Sequence, residues 1–292
     1  MGYDDRAVDA AVRKHLWRRV RRGAYTFPDI WEAKDPAGRH RVLSRAVLRS
    51  LGGSVALSHT SAALEHEFAT WDVDLSRVHV TRLDGGAGRN EKDVVHHEGI
   101  CLEDDVVELN GLKVIGPARA AIETASLTSV ESGLVTVDSA LNLGLVDPDD
   151  LGRKFADMER WPFTQKVHVV LGLADGRSAS AGESRSRYLC WANGLPAPEL
   201  QFHVYDERGN LVGITDFAWP DYRLLGEFDG KVKYGRLLKP GQSAGDVVFE
   251  EKKREDLLRE ITRWAMIRWI WGDLYRSAAT ASRIRRLMTS AA

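Results

Sequence analysis

The sequence predicts an α/β protein of the α+β kind in two domains, and three observations carry that reading. Residues 172–187, GLADGRSASAGESRSR, gather Gly, Ser, Ala and Asp between two patterned regions, as a linker entering a helix does. Upstream, apolar residues recur at helical spacing in several windows, with short alternating runs between them. Downstream, three alternating runs are joined by tight polar turns and followed by a charged helix and an apolar strand. The expected organisation is a mostly helical domain with short strands over residues 1–175, then an αβββαβ core with a mixed sheet over residues 178–292.

Residues 5–16 place Ala7, Val8, Ala11, Val12 and His15 on one helical face. RRVRRGAYTF alternates through Val20, Ala24 and Phe27 about a turn at Gly23, which predicts a hairpin. RHRVLSRAVLRSLG (39–52) is an amphipathic helix ended by Gly52 and Gly53. SHTSAALEHEF opens on Ser58 as an N-cap, and RVHVTRL (77–83) is a short strand. PARAAIETASL (117–127) starts with Pro in a first-turn position, and ESGLVTVDSALNLGL continues as helix. DPDDLGRKFADM opens another helix behind Asp147. After the linker come a helix over 181–193 and the strands LQFHVYD, LVGITDFAW and RLLGEFD. The connections ERGN and PDY are short enough to make neighbouring strands antiparallel. The helix VFEEKKREDLLREITRW, the strand AMIRWIWGD and a last helix at SRIRRLM complete the order, with Trp264, Trp269 and Trp271 as core.

A hydrophobic content of 43% against 28% charged residues supports a sizeable core and excludes global disorder. Cys101 and Cys190 are far apart without CxxC spacing, which excludes a zinc ribbon and a disulfide framework and fits a reducing cytoplasm. The apolar runs are too short for a membrane span, and MGYDDRAVDA carries early acids in place of a signal peptide's apolar stretch. His59, His66, His96 and His97 come with no carboxylate pair at metal spacing, so packing and capping roles are expected of them.

The acids of the strand pair are the chemical signal. Side chains alternate along a strand, so Glu227, Asp229 and Lys231 share a face. The hairpin can bring Asp216 opposite that face, and Glu183 on the preceding helix can join. Carboxylates that converge beside an ammonium call for a divalent cation or a positive partner. Oxygen-only ligands suit Mg²⁺ or Mn²⁺, and such an ion supplies a water to attack a phosphodiester, with a lysine stabilising charge.

These residues carry a resemblance. GESRSRYL, ITDFAWPDYRLLGEFDGKVKY and KKREDLLRE with WAMIRWIW resemble the PD-(D/E)xK nuclease superfamily, closest to Vsr-like endonuclease domains. The resemblance implies a restriction-endonuclease-like αβββαβ core in which Asp216 and Glu227 hold Mg²⁺ or Mn²⁺, with Glu183 as the helix acid. Thr215 stands where the family has Pro, and Asp229 where it has Lys. Lys231 is then a migrated catalytic lysine, or Asp229-Gly230-Lys231 is itself the D-x-K register; Lys233 is a further candidate.

In the N-terminal domain, Arg18, Arg19, Arg21, Arg22 and Tyr25 on a hairpin behind a short helix fit a wing that contacts DNA phosphates. RRGAY, ALSHTSAALEH, RVHVT, GPARAAIETA and VDSALNLGLV resemble, in that order, the AbiEi-type antitoxin family. That family has a winged helix-turn-helix ahead of the RRGxY segment; here residues 1–30 hold only its last helix and wing. The two resemblances imply a metal-dependent DNA endonuclease with an antitoxin-like domain, or an AbiEi-like regulator whose nuclease fold does not cut. DNA is the implied partner, with a cognate toxin and a second copy of the chain as further candidates.

Overall fold

Gly23, at φ +75°, turns the first hairpin, where a side chain would be strained. The computed structural model describes residues 5–230 and 244–290. In it the chain divides into two units, residues 1–172 and 173–292.

In the first unit, helix α1 (Asp5–Arg13) precedes that hairpin, β1 (Arg18–Arg21) and β2 (Ala24–Thr26), and α2 (Pro28–Glu32) follows it. Proline opens α2, α3 (Pro36–Leu51), α5 (Pro117–Leu127) and α7 (Pro148–Met158), where its missing N–H costs nothing. Asp147 caps α7 through a reciprocal pair with Asp150. Between them lie β3 (Val55–Leu57), α4 (His59–Glu65), β4 (Val78–Arg82), β5 (Arg89–Asn90), β6 (Val94–His97), β7 (Val106–Leu109) and β8 (Leu112–Ile115). Helices α6 (Val130–Asn142) and α8 (Gln165–Leu173) complete the order.

Helices make up most of the regular structure of the first unit, as expected, and its short strands β3 to β8 join in one six-stranded sheet in the order β5-β6-β4-β3-β8-β7. Pairs β4–β6 and β3–β8 are parallel, and β3–β4, β5–β6 and β7–β8 antiparallel. Val47, Leu57, Val80, Val94, Val114 and Ile115 fill its core. The short helix and the hairpin expected near the start of the chain are present as α1 and β1–β2.

The second unit has the order α9 (Ala181–Ala192), β9 (Glu199–Tyr205), β10 (Leu211–Trp219), β11 (Leu224–Asp229), α10 (Ala244–Thr262), β12 (Ala265–Ile270), α11 (Trp271–Leu274) and α12 (Ser277–Ser290). Its sheet runs β12-β11-β10-β9, antiparallel except for the parallel β11–β12 pair. One face buries Phe217, Leu224, Phe228 and Trp269 against Leu189 of α9 and Ile284 of α12. The other buries Ala218, Leu225 and Met266 under Leu258 of α10. This is a mixed sheet between helices. Trp269 is buried, with its indole N–H donating to Ser186 Oγ at 2.7 Å; Trp264 and Trp271 are partly buried against the two cores.

No helix among the described residues is long and apolar enough to cross a membrane.

Candidate functional site

The strand register sets the acids. The antiparallel β10–β11 pairing runs as far as Phe217 with Gly226, and Asp216 and Glu227 are the next residue on each strand. Asp216 Oδ2 accepts the Phe228 N–H at 2.8 Å, which ties the carboxylate to the partner strand. On the other side, Gln201 lies between Leu200 and Phe202, which pair with Phe217 and Thr215, so it flanks Asp216. Gln201 sits in the left-handed region at φ +50°, and its Nε2 donates to Glu183 Oε2 at 3.0 Å.

Glu183 is seated by two local features. A Cβ at Gly182 would lie 1.9 Å from the Phe228 ring, so only glycine lets α9 approach β11 this closely. Ser180 and Glu183 then form a reciprocal cap, Ser180 Oγ donating to Oε1 at 2.8 Å while Ala179 N donates to Oε2 at 2.9 Å. Glu183, Gln201, Asp216 and Glu227 thus form a chain of neighbours across α9, β9, β10 and β11.

Glu227 is buried and ion-paired on both oxygens. Arg254 Nη2 donates to Oε1 at 2.5 Å, and Arg268 Nη2 lies 2.8 Å from Oε2. The Arg268 contact is a charge pairing at close range, with its N–H directions out of line for a hydrogen bond. The parallel β11–β12 register puts Glu227 beside Arg268, and Arg254 reaches down from α10 while also donating to Ile214 O at 3.0 Å. Burying an anion between cations of adjacent elements is the common way to offset its desolvation. Asp229 ends β11 half-buried beside Ile270. The lysines named from the sequence, Lys231 and Lys233, lie outside the described residues.

The basic hairpin of the first unit is divided in orientation. Arg18, Arg19 and Arg22 are exposed, with Arg18 over the Trp31 ring at 5.0 Å and Tyr25 near Trp17. Arg21 turns inward, its Nε 3.5 Å from Asp93, so it is set apart from the exposed arginines.

The four histidines named from the sequence fall into two groups. Packing and capping describe His66, whose Nε2 pairs with Ile115 O at 2.7 Å, and His96, whose Nε2 pairs with Glu91 at 3.1 Å. His59 and His97 instead meet His79: among the described residues, this is the group of metal-type donors whose ligand atoms all lie within 4.8 Å of one another. His79 Nδ1 and His97 Nε2 are 2.9 Å apart, and the His59 and His97 rings stack at 3.7 Å. Burial, with repulsion among the rings, pushes His79 down to about 4 and His97 to about 3, and His59 well below its usual range.

Compared with known proteins, the chain matches no family model, and no solved structure matches it. It is similar to two proteins, from two strains of Mycobacterium tuberculosis, each described as uncharacterized. Each is 28% identical over 240 residues, covering 77% of this chain and 85% of the relative.

Proposed function

We propose that the second unit is a divalent-metal-dependent DNA endonuclease of the PD-(D/E)xK kind, with a Vsr-like core, acting beside an AbiEi-like targeting or regulatory domain in the cytoplasm. The observation that carries the reading is Asp216 tied to β11 through the Phe228 N–H, one residue beyond Glu227, with Glu183 linked to the same strand region through Gln201. The donors fit Mg²⁺ or Mn²⁺ in kind, since all are carboxylate oxygens. Asp216 and Glu227 would hold the ion, with Glu183 or Asp229 assisting. When bound, the ion would polarise a phosphate oxygen and acidify a water. Arg254, whose side chain is 39% exposed, must swing off Glu227 to let a cation share that carboxylate. Released, its guanidinium is suited to a DNA phosphate. Lys231 or Lys233 stabilises charge on the phosphate under attack.

A second reading is favoured by the same arginines: with both Glu227 oxygens ion-paired, the unit serves an AbiEi-like DNA-binding regulator as a fold that does not cut. A cognate toxin or a second copy of the chain belongs to this reading.

Plasmid nicking with Mg²⁺ or Mn²⁺ separates them. Cutting by the wild type that is lost in Asp216→Ala and Glu227→Ala supports the nuclease. No cutting by any of the three, with DNA retention that disappears when Arg18, Arg19 and Arg22 are neutralised, supports the regulator. Equal cutting by all three overturns the assignment of the acids.

A further inference from the structure

We propose that His59, His79 and His97 bind one divalent transition-metal ion in the first unit, with Zn²⁺ the expected occupant of an all-imidazole donor set. The inference is independent of any activity of the acid pair.

Regular backbone pairing brings the three rings together. Leu57 pairs with Val80, and Ser58 N donates to His79 O at 3.0 Å, so β3 delivers His59 beside His79 as α4 begins. The parallel β4–β6 pair sets His97 against Thr81, two residues along from His79. His59 takes φ +49°, an unusual conformation for a side chain of this size, at the first residue of its helix. Ser61 Oγ accepts the His79 backbone N–H at 2.8 Å and also pairs with His40 Nε2 at 2.8 Å, fixing the strand that carries the central ligand.

All three ligand atoms lie within 4.8 Å of one another, and one separation is already close to metal spacing. Zinc–nitrogen bonds of ~2.0–2.1 Å at tetrahedral angles put ligand nitrogens about 3.3 Å apart. The 2.9 Å between His79 Nδ1 and His97 Nε2 reaches that with a shift of a few tenths of an ångström. One of these rings now donates an N–H to the other; binding requires it to move that proton to its other nitrogen, with no net proton released. His59 Nδ1 lies 3.0 Å from Ser58 Oγ and 3.4 Å from Glu123 Oε2, and an N–H there leaves Nε2 to bind. A carboxylate behind a histidine ligand fixes its tautomer and raises its basicity. Glu123 is held in turn by buried Arg119 at 2.8 Å, and Arg119 by Asp105 at 2.7 Å.

The fourth position has room. His59 and His97 line a cavity of about 210 Å³ with Arg119, Glu123, Trp161 and Phe163. A water or a small ligand there completes four-coordination.

The test is Zn²⁺ binding by the full chain in excess Mg²⁺, which occupies oxygen-only sites, followed by equilibrium dialysis with metal counting. The expected result is one Zn²⁺ per chain. Affinity should fall in His79→Ala and His97→Ala by more than the ~10–100-fold that losing a ligand's hydrogen-bond partner costs. It should be unchanged in His168→Gln, whose exposed ring lies outside the cluster. Co²⁺ on the wild type gives a readout independent of how the variants fold: intense visible bands of a four-coordinate, nitrogen-ligated ion are expected. No uptake, equal uptake by the alanine variants, or only the weak bands of six-coordinate Co²⁺ overturns the proposal.

Discussion

The two units handle clustered ionisable side chains in opposite ways. In the second, Glu227 comes with its counter-charges, Arg254 at 2.5 Å and Arg268 at 2.8 Å, and the neighbouring Asp216 takes a backbone N–H. In the first, three imidazoles meet with a carboxylate behind one of them, and burial keeps the rings neutral. The charged cluster is stabilised by its own cations, so an added cation must compete with them. The neutral cluster offers lone pairs, and an added cation competes only with a ring-to-ring hydrogen bond. The same chain therefore carries one cluster whose charges are balanced internally and one of neutral donors.

The largest effect expected from breaking this contrast is on catalysis. Under the nuclease reading, Asp216→Ala removes several kcal/mol of transition-state stabilisation, a loss of more than ~100-fold in nicking rate. His168→Gln, distant from both clusters in sequence, leaves the rate as it was.

The next is acid sensitivity in the first unit. His79 and His97, held at about 4 and about 3 against an ordinary 6.5, stay neutral in the fold where the unfolded chain is protonated. The unfolded state binds the extra protons between those values, so stability is full above pH 6.5 and falls as pH drops towards about 3. The loss is on the order of a few kcal/mol by pH 4, read as a falling midpoint in urea unfolding. A His79→Gln, His97→Gln double variant should flatten that dependence; an unchanged slope would show the rings are not the cause.

Smaller is the stability change at Glu227. Its removal leaves two arginines facing each other, so Glu227→Ala should destabilise by about 1–3 kcal/mol, below the ~3–5 kcal/mol of a fully buried pair because both arginines are partly exposed. An acid held mainly for function would instead stabilise the fold when removed, as strained site residues do. Denaturant midpoints decide the sign.

Smallest is a difference in thiol reactivity. Burial pushes the Cys190 thiol to about 12, while Cys101 is only part-buried. At pH 8 an alkylating reagent should modify Cys101 first and reach Cys190 only as the second unit opens.

What was legible in the sequence follows from which interactions are local. The helix 117–127 begins at its proline, and the strand Leu211–Trp219 matches its period-two run, because turn chemistry and alternation are short-range signals. The sheet of the first unit is not legible in the sequence because β3 to β8 are two to five residues long and several carry histidines or charges. One signal was present: Asn110-Gly111, both at positive φ, 52° and 72°, is the turn of the β7–β8 hairpin. His79 lies 20 residues from His59 and 18 from His97, and only the strand order joins them. Arg254 and Arg268 reach Glu227 through a helical crossover and a parallel pairing, neither of which leaves a spacing to read.

The most direct test of the nuclease account is Mn²⁺ binding followed by electron paramagnetic resonance, on the wild type and on Asp216→Ala, with Zn²⁺ present to fill the histidine cluster. The account predicts a bound Mn²⁺ in the wild type that is lost in the variant. Identical Mn²⁺ uptake by the two proteins, or none by either, would contradict it.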